Sequence, residues 1–315
     1  MKISGVTVRQ FFEDGRDKLP LELVGGEKGL GRVIHEPAIN RPGLALAGFF
    51  RHFAFRRIQV LGMAENEYLL NLPPARRKDC LRRLFGERIP CVVITRNRRV
   101  LPEISDLARE FNIPILRSPL VTGRFINSAT IAMERLAAPR ITRQGTMVDI
   151  LGIGVLIEGK PCIGKSEAAL SLVERGHSLV ADDLVLLRLS DRHVVIGSAL
   201  PSTRYHIEIR GVGIVHIPSL FGVASVRDEK ALDLIVTLRD MGEVENGGIG
   251  LDPLASDLLG VKVPRMIIPV APGRELANII QAAALNEKLK KLGHDAAKEL
   301  DDKLMAKMSK GAPAK

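Results

Sequence analysis

Hydrophobic positions in the first part of the chain alternate between short continuous runs and helical spacings, which is typical of an α/β protein. Two apolar runs, residues 57–62 and 91–95, predict buried strands, and amphipathic spacing predicts helices over residues 74–85 and 102–111. An apolar segment after a Pro-Gly turn predicts a third helix over residues 44–53. We therefore expect a mainly parallel sheet covered by helices in this region.

Strand signals dominate the chain after residue 140. A helical spacing over residues 127–136 ends at Ala137-Ala138-Pro139-Arg140, which we interpret as the connection between two domains. The apolar runs beyond it predict strands over residues 147–151, 154–157, 178–180, 184–189, 193–196 and 232–238. Two further helices are predicted over residues 274–292 and 296–308.

These elements predict an α/β protein with two domains. We expect an N-terminal α/β domain for regulation or assembly over residues 1–138, a C-terminal domain with a mixed sheet and terminal helices over residues 139–309, and a disordered tail over residues 310–315. The glycine-rich residues 242–250 predict a flexible loop. We see no catalytic cluster in the first domain and interpret Cys80 and His52 as packing residues.

The composition of the chain mainly argues against several classes of protein and of binding site. No apolar run reaches the roughly 18 residues of a membrane span, and the N-terminus has no signal-peptide core, so we expect a cytoplasmic protein with no membrane partner. The three cysteines have no paired spacing, which argues against disulfides and a zinc site. The net charge is +10, but the basic residues are dispersed and aromatic residues are only 4%, which argues against a nucleic-acid partner.

A glycine loop with the spacing G-x-x-x-x-G-K-[ST] is the strongest functional signal in the chain. It lies between a predicted strand and a predicted helix, and it comprises Gly159, Lys160, Pro161, Cys162, Ile163, Gly164, Lys165 and Ser166. Backbone N–H groups of such a loop cradle phosphate oxygens, and the helix N-terminus adds positive charge. The Lys165 ammonium can reach the β- and γ-phosphates, and the Ser166 hydroxyl can bind Mg²⁺. The competing interpretation is a chance match in a strand–turn–helix that binds nothing.

Carboxylates that follow the loop in sequence add candidate chemistry. Asp182 and Asp183 end a predicted strand, and one carboxylate of such a pair can face a metal while the other accepts a proton. Glu208 can supply a second Mg²⁺ ligand, and Arg210 can pair with a phosphate or a carboxylate. Without the loop, the Asp pair is an ordinary turn and Glu208 lies on a solvated strand edge.

At these residues the chain resembles the HPr kinase/phosphorylase family. Members of that family phosphorylate a serine of HPr, the phosphocarrier protein of the bacterial sugar phosphotransferase system, and also run the reverse phosphorolysis. The resemblance covers essentially the whole chain, and its segments are Asn40-Arg41-Pro42-Gly43-Leu44-Ala45-Leu46-Ala47-Gly48-Phe49-Phe50, Gly164-Lys165-Ser166-Glu167, Arg175-Gly176-His177-Ser178-Leu179-Val180-Ala181-Asp182-Asp183, Glu208-Ile209-Arg210-Gly211-Val212-Gly213-Ile214, Leu220-Phe221-Gly222, Pro272-Gly273-Arg274 and Ala282-Ala283-Ala284-Leu285-Asn286.

The resemblance implies a P-loop kinase domain that uses ATP and Mg²⁺, assembles as a hexamer and acts in the regulation of carbon metabolism. It implies that Lys165 holds the β- and γ-phosphates and that Ser166 and Glu208 coordinate Mg²⁺. It further implies that Asp182 is the base toward the acceptor serine and the acid in the reverse direction, with Asp183 supporting the metal or the base. Arg274 lies in the segment that the family associates with phosphorolysis.

Four departures from the family pattern are visible. Gln144 stands where the family has a histidine, and an amide cannot carry a proton or a positive charge at neutral pH. Pro161-Cys162 replaces Ser-Gly, and the proline removes one N–H from the cradle. Gly248 replaces an arginine of a type that contributes roughly 10³-fold or more to the rate of phosphoryl transfer. Glu275 replaces an asparagine.

Three functions fit these observations. The first is an ATP- and Mg²⁺-dependent serine kinase, with or without phosphorylase activity, that acts on HPr or an HPr-like phosphocarrier. The second is a catalytically impaired, nucleotide-binding regulatory paralogue, which the replacements at Gln144 and Gly248 favour. The third is a small-molecule kinase that uses the same loop, because a fold does not fix the acceptor.

Overall fold

The computed structural model describes residues 5–14, 19–190, 193–243, 254–271, 273–301 and 305. The chain divides into two compact units, residues 1–138 and 139–315. Both units combine sheets with packed helices, so the predicted α/β class is confirmed. None of the described helices is both long and apolar enough to cross a membrane.

The N-terminal unit contains a five-stranded sheet, a two-stranded sheet and helices that cover them. In chain order its helices and strands are β1 (Val6–Thr7), α1 (Val8–Asp14), β2 (Glu22–Gly25), β3 (Val33–Ile34), β4 (Ile39–Asn40), α2 (Gly43–Leu46), β5 (Ile58–Leu61), α3 (Met63–Asn71), α4 (Pro74–Gly86), β6 (Val92–Ile94), α5 (Pro102–Phe111), β7 (Ile115–Arg117) and α6 (Thr122–Ala137).

The main sheet of this unit has the strand order β2-β7-β6-β5-β4. Strands β4 to β7 are parallel and β2 pairs antiparallel with β7, so the mainly parallel sheet predicted from the pattern is confirmed. Strands β5 and β6 are buried along their whole length. The one polar residue in them, Gln59, is satisfied because its amide donates to two backbone carbonyls and accepts from Asn40.

Two predictions for this unit are wrong. The helix expected over residues 44–53 is only the short α2, because Gly48 adopts a φ of 101° just after it, and a left-handed glycine ends a helix. His52 is exposed rather than packed, whereas Cys80 packs against the core as expected. Helix α6 begins at Thr122, earlier than predicted, and buries Phe125 in its first turn.

The C-terminal unit contains two larger sheets, a hairpin and helices. In chain order its helices and strands are β8 (Arg140–Gln144), β9 (Thr146–Ile150), β10 (Ile153–Glu158), α7 (Lys165–Glu174), β11 (Ser178–Ala181), β12 (Leu184–Leu189), β13 (Val195–Ala199), β14 (His206–Ile209), β15 (Gly213–His216), α8 (Ile217–Phe221), β16 (Glu229–Ala231), β17 (Leu234–Asp240), β18 (Leu254–Leu258), β19 (Val261–Val270) and α9 (Leu276–Lys291).

The larger sheet of this unit is mixed, as predicted. Its strand order is β11-β9-β10-β17-β19-β18, with β10, β17 and β19 parallel and the remaining neighbours antiparallel. One apolar core lies between this sheet and helices α7 and α9, and another lies toward the antiparallel sheet β16-β13-β12-β8. The sheet is therefore covered on both faces, which fixes the carboxyl ends of β10 and β11 firmly.

The predicted strands of this region are all present, but others were missed. Strand β19 carries Pro264 and Pro269, residues that argue against an internal strand, and β8 is polar and largely exposed. The second terminal helix is described only in part, since residues 296–301 are helical and residues 302–304 lie outside the described residues. Most of the predicted glycine-rich loop, with Gly248, and the predicted tail also lie outside them.

Candidate active site

The glycine loop lies where the motif requires it, between β10 and α7. Strand β10 is buried up to Glu158, and α7 begins at Lys165 directly after Gly164. Glycine is needed at both glycine positions of the motif. A Cβ on Gly159 would lie 2.9 Å from Ile163 Cγ2, and Gly164 adopts a φ of 100°, which side chains rarely tolerate. The first turn of α7 therefore presents its N–H groups at the loop, which is an anion-binding arrangement.

The Lys165 ammonium lies across this loop. Its Nζ donates to the carbonyl oxygens of Gly159 at 3.1 Å and Lys160 at 2.9 Å. Cys162 is exposed and adopts a φ of 62°, a conformation that glycine takes at no cost, so the loop keeps its turn although the family's glycine is absent. The Lys165 charge is thus held beside the carbonyls that frame the cradle.

Asp182 organises the edge of the sheet beside the loop. It follows β11 directly, is 5% exposed, and its two oxygens accept several hydrogen bonds. Thr146 Oγ1 donates to it at 2.6 Å, Ser166 Oγ lies 3.2 and 3.3 Å from its two oxygens, and the backbone N–H of Glu208 donates at 3.1 Å. Strand β9, helix α7 and strand β14 therefore all meet at one carboxylate.

Asp183 has the opposite environment. Its side chain is exposed, and its backbone adopts a φ of 64° that turns the chain from β11 into β12. The Gly145 N–H donates to the Asp183 carbonyl at 2.9 Å, and Gln144 is the register partner of Leu184. The backbone of Gln144, the position at which the resemblance implies a histidine, therefore lies beside the turn at Asp183.

Arg274 does not take part in the hydrogen-bond network of Asp182. It is exposed just before α9, and the structure shows no side-chain hydrogen bond or ion pair for it among the described residues. Its neighbour Glu275, one of the departures from the family, pairs with Arg175 and accepts from Asn278 at 2.6 Å. Arg210 is likewise exposed on the turn between β14 and β15.

The oxygen donors around Ser166 fit Mg²⁺. A hydroxyl and a carboxylate lie within hydrogen-bond distance, and hard oxygen ligands are those that Mg²⁺ prefers. Across the part of the chain that the structure describes, no three His, Cys, Asp or Glu side chains converge on a metal cluster. Mg²⁺ sites in kinases commonly use one or two protein ligands, and water and phosphate oxygens complete the coordination.

The structure thus brings together part of the set named from sequence. Ser166, Asp182 and the backbone of Glu208 meet, whereas the side chains of Asp183, Glu208 and Arg274 are exposed. Sequence reasoning missed Thr146. Its only signal was a hydroxyl residue at the start of β9, directly after Gly145, where a Cβ would lie 2.6 Å from the Ile157 carbonyl oxygen.

Comparison with known proteins covers nearly the whole chain. The family model for the HPr serine kinase N terminus matches residues 6–133, and the model for the HPr serine kinase C-terminal domain matches residues 135–304. A protein named HPr kinase/phosphorylase from Caldicellulosiruptor bescii is 42% identical over 89% of this chain and 90% of its own length. One of the same name from Leptospira biflexa is 41% identical over 96% of this chain and 95% of its own length.

A solved structure also matches. It is described as the Hpr(Ser) kinase/phosphatase from Coxiella burnetii, and it is 34% identical, with a TM-score of 0.47 over 51% of this chain and 98% of that chain. The family models span both units described above, and the curated relatives align with almost their full length. The chain belongs to the HPr serine kinase family.

Proposed function

We propose that this chain is an ATP- and Mg²⁺-dependent protein serine kinase whose acceptor is HPr or an HPr-like phosphocarrier. The observation that carries the proposal is the Asp182 network, in which Thr146 and Ser166 donate to one buried carboxylate beside the glycine loop. Such a network fixes the loop's Ser166 without help from a ligand. Preorganised polar groups of this kind are the main source of catalytic power in phosphoryl transfer.

The geometry favours a division of labour that reverses the one implied by the family resemblance. Asp182 is buried and its oxygens are occupied by donors, which suits a carboxylate that orients Ser166 and the metal. Asp183 is exposed beside Gln144, so an acceptor hydroxyl can reach it. We therefore assign the general base to Asp183, which takes the proton of the acceptor hydroxyl as that oxygen attacks the γ-phosphorus of ATP and the bond from this phosphorus to the oxygen that leaves with ADP breaks. We assign support of the metal site to Asp182.

The remaining residues bind and orient. Lys165 would hold the β- and γ-phosphates after its Nζ leaves the loop carbonyls, and the loop N–H groups would hold the phosphate oxygens. Pro161 contributes none of these N–H groups. Ser166 and Glu208 would hold Mg²⁺, which when bound supplies positive charge against the phosphate oxygens. Arg274 would act in the reverse reaction, phosphorolysis of the phosphoserine.

The choice of acceptor rests on the relatives, which are named HPr kinase/phosphorylase at about 40% identity. The direct test is to incubate the chain with ATP, Mg²⁺ and HPr and to search HPr for phosphoserine by mass spectrometry. We expect one phosphoserine per HPr, lost when Mg²⁺ is removed and in Lys165→Ala. A matched control is Lys262→Ala, which removes a lysine from the distant strand β19.

Assembly through the C-terminal unit is part of the same proposal. Several apolar side chains after β14 are strongly exposed, with Val212 at 73%, Ile214 at 76% and Val223 at 84%. Exposed apolar side chains of this kind suit contacts with another protein surface. We expect light scattering to report a hexamer, and Ile214→Asp to shift it to smaller species.

A second function, nucleotide binding without turnover, is favoured by Gln144 beside Asp183. The amide cannot share the proton that Asp183 would take up. In this case ATP would bind tightly, no phosphoserine would form, and Asp183→Asn would behave like the parent chain. Turnover that appears in Gln144→His/Gly248→Arg would then identify these two replacements as the cause.

A further inference from the structure

The hairpin formed by β14 and β15 carries two histidines on one face. His206 and His216 are directly opposite each other in the antiparallel register, and both side chains are exposed. Their ring centroids lie 4.9 Å apart, with the ring planes tilted by 47°. We call these two residues the histidine pair. Neighbouring imidazoles can simply contact each other or can share one ion, and the hydrogen bonds of these rings favour the second role.

Both rings of the histidine pair are held through the same nitrogen. His206 Nδ1 lies 2.7 Å from the Arg204 carbonyl oxygen, and because a carbonyl only accepts, this nitrogen carries the ring proton. His216 Nδ1 lies 2.7 Å from Ser219 Oγ. Among the hydrogen bonds of the described residues, neither ring uses its Nε2 atom. Metal-ligating histidines usually have this arrangement, because a hydrogen bond at one nitrogen orients the ring and leaves the other nitrogen to bind the ion.

The separation of the two rings suits one shared ion. A transition metal lies about 2.1 Å from a ligating imidazole nitrogen, which places it about 3.2 Å from the ring centre. Two rings that bind one ion at about 100°, between the square-planar and tetrahedral angles, therefore have centres about 4.9 Å apart. The centroids of the histidine pair are 4.9 Å apart, so the two strands already hold the rings at the spacing that a shared ion requires.

The carboxylates nearest to the histidine pair have partners already. His216 borders a cleft of about 500 Å³ whose lining includes Asp228 and Glu229. Asp228 pairs with Arg204, and Glu229 pairs with Arg188 at 2.7 Å. In the part of the chain that the structure describes, no three His, Cys, Asp or Glu side chains converge on one point. The protein would therefore supply two imidazole ligands, and the cleft leaves room for water to complete the coordination.

We propose that the histidine pair binds one transition-metal ion of the class of Ni²⁺, Cu²⁺ and Zn²⁺, apart from the proposed Mg²⁺ site at Ser166. Imidazole nitrogen suits these ions, whereas Mg²⁺ prefers hard oxygen ligands. The bound ion would join β14 to β15 through side chains, in addition to the backbone hydrogen bonds of the hairpin. Because the Glu208 N–H in β14 donates to Asp182 at 3.1 Å, the ion would also restrain the strand that contacts this buried carboxylate.

The test titrates Ni²⁺ into the full chain, without a histidine tag, by isothermal calorimetry in the presence of excess Mg²⁺. We expect one ion per chain, and at least tenfold weaker binding in either His206→Gln or His216→Gln. Two matched controls should change the affinity less than twofold. They are His193→Gln, at another exposed histidine, and Cys162→Ser, at the exposed thiol.

A further variant asks whether the ion is shared with the proposed Mg²⁺ site. Glu208 lies two residues along β14 from His206, so its side chain is on the same face of the hairpin. We expect Glu208→Gln to weaken Ni²⁺ binding less than twofold. The electron paramagnetic resonance spectrum of Cu²⁺ bound to the parent chain should show coupling to two imidazole nitrogens, a measurement that needs no substitution.

Hydrogen exchange followed by mass spectrometry separates binding from folding. Without Ni²⁺, the parent chain and the two histidine variants should exchange alike over residues 204–218, and Ni²⁺ should slow exchange there only in the parent chain. The proposal is overturned if Ni²⁺ does not bind in excess Mg²⁺, or if the histidine variants bind it as tightly as the parent chain. It is also overturned if Glu208→Gln weakens binding as much as they do, or if Cu²⁺ couples to fewer than two nitrogens.

Discussion

Two regions of the molecule present basic side chains: the edge of the C-terminal sheet at the glycine loop, and the cleft of the N-terminal unit that Arg32, Arg56 and Arg88 line, which we call the arginine cleft. The two regions differ in how their polar groups are balanced. At the loop, Asp182 accepts from Thr146 and Ser166, and Lys165 donates to carbonyl oxygens, so each of these polar groups has a protein partner before any ligand binds. In the arginine cleft, no Asp or Glu is among the described residues that line the space beside Arg32, Arg56 and Arg88. A balanced site is suited to positioning reactants, whereas an unbalanced one gains most from simply binding an anion.

The largest effect on activity is expected from a substitution of Asp183. Asp183→Asn keeps the shape of the exposed side chain but cannot accept the proton of an acceptor hydroxyl. We expect kcat for phosphoryl transfer to fall by roughly 10²–10⁴-fold, the usual contribution of a general base, with ATP affinity unchanged. Steady-state kinetics and nucleotide titration check it. A loss of ATP affinity with kcat preserved would remove the assigned role.

A smaller and different effect is expected at Asp182. Asp182→Asn keeps one acceptor oxygen for the Thr146 and Ser166 hydroxyls but removes the charge that orients Ser166, and its NH2 group cannot accept from the Glu208 N–H. We expect the Mg²⁺ concentration for half-maximal activity to rise by about 10–100-fold, as for supporting residues at metal sites. A kcat loss that saturating Mg²⁺ cannot recover, equal to that of Asp183→Asn, would show that the two carboxylates share one role.

Removal of one donor from the Asp182 network should reduce stability. Thr146→Val has nearly the same shape but leaves the buried Asp182 with one partner fewer, and we expect the free energy of unfolding to fall by about 1–3 kcal/mol. Thr142→Val, at an exposed position on β8, is the matched control and should change it by less than about 0.5 kcal/mol. If urea titrations show the same loss of unfolding free energy in both variants, the hydrogen bond from Thr146 does not stabilise the buried Asp182.

The smallest effect is expected at His177, which is buried directly before β11. Burial is the largest influence on the pKa of His177, and it lowers that pKa. The imidazole is therefore neutral over a wider pH range in the folded chain than in the unfolded chain. The unfolded chain therefore binds more protons as pH falls below 6.5, and stability should be lost in that window. His177→Gln should flatten the pH dependence of the urea midpoint below pH 6.5, whereas His193→Gln, at an exposed position, should leave it unchanged.

The sequence predicted the loop edge far better than the arginine cleft, for a physical reason. Strand, glycine loop and helix are local along the chain, so the spacing from Gly159 to Ser166 was enough to place them. The contact of Thr146 with Asp182 joins residues 36 positions apart, and it depends on the antiparallel pairing of β9 and β11. Arg32 and Arg88 are brought together only by the neighbouring ends of strands, a relation that no local pattern carries.

The opposite burial of Asp182 and Asp183 also could not be predicted. Adjacent residues in sequence have opposite burial here, because β11 ends at Ala181 and Asp183 turns the chain with a positive φ. The predicted helix over residues 44–53 was wrong for a similar reason, because the positive φ of Gly48 ends the helix early. In each case the residue types were read correctly, and the backbone conformation of one residue determined the outcome.

The most direct test of the account asks where Mg²⁺-ATP binds, since both regions attract anions. Cys162 is exposed within the loop, Cys80 is partly buried, and burial raises the pKa of Cys91 to about 12, so N-ethylmaleimide should label Cys162 first at neutral pH. We predict that saturating Mg²⁺-ATP slows the labelling of Cys162 at least about tenfold, and that the slowing is the same in Arg32→Gln/Arg88→Gln. Labelling that ATP does not slow, or protection that disappears when the two arginines are replaced, would contradict the placement of the nucleotide at the loop.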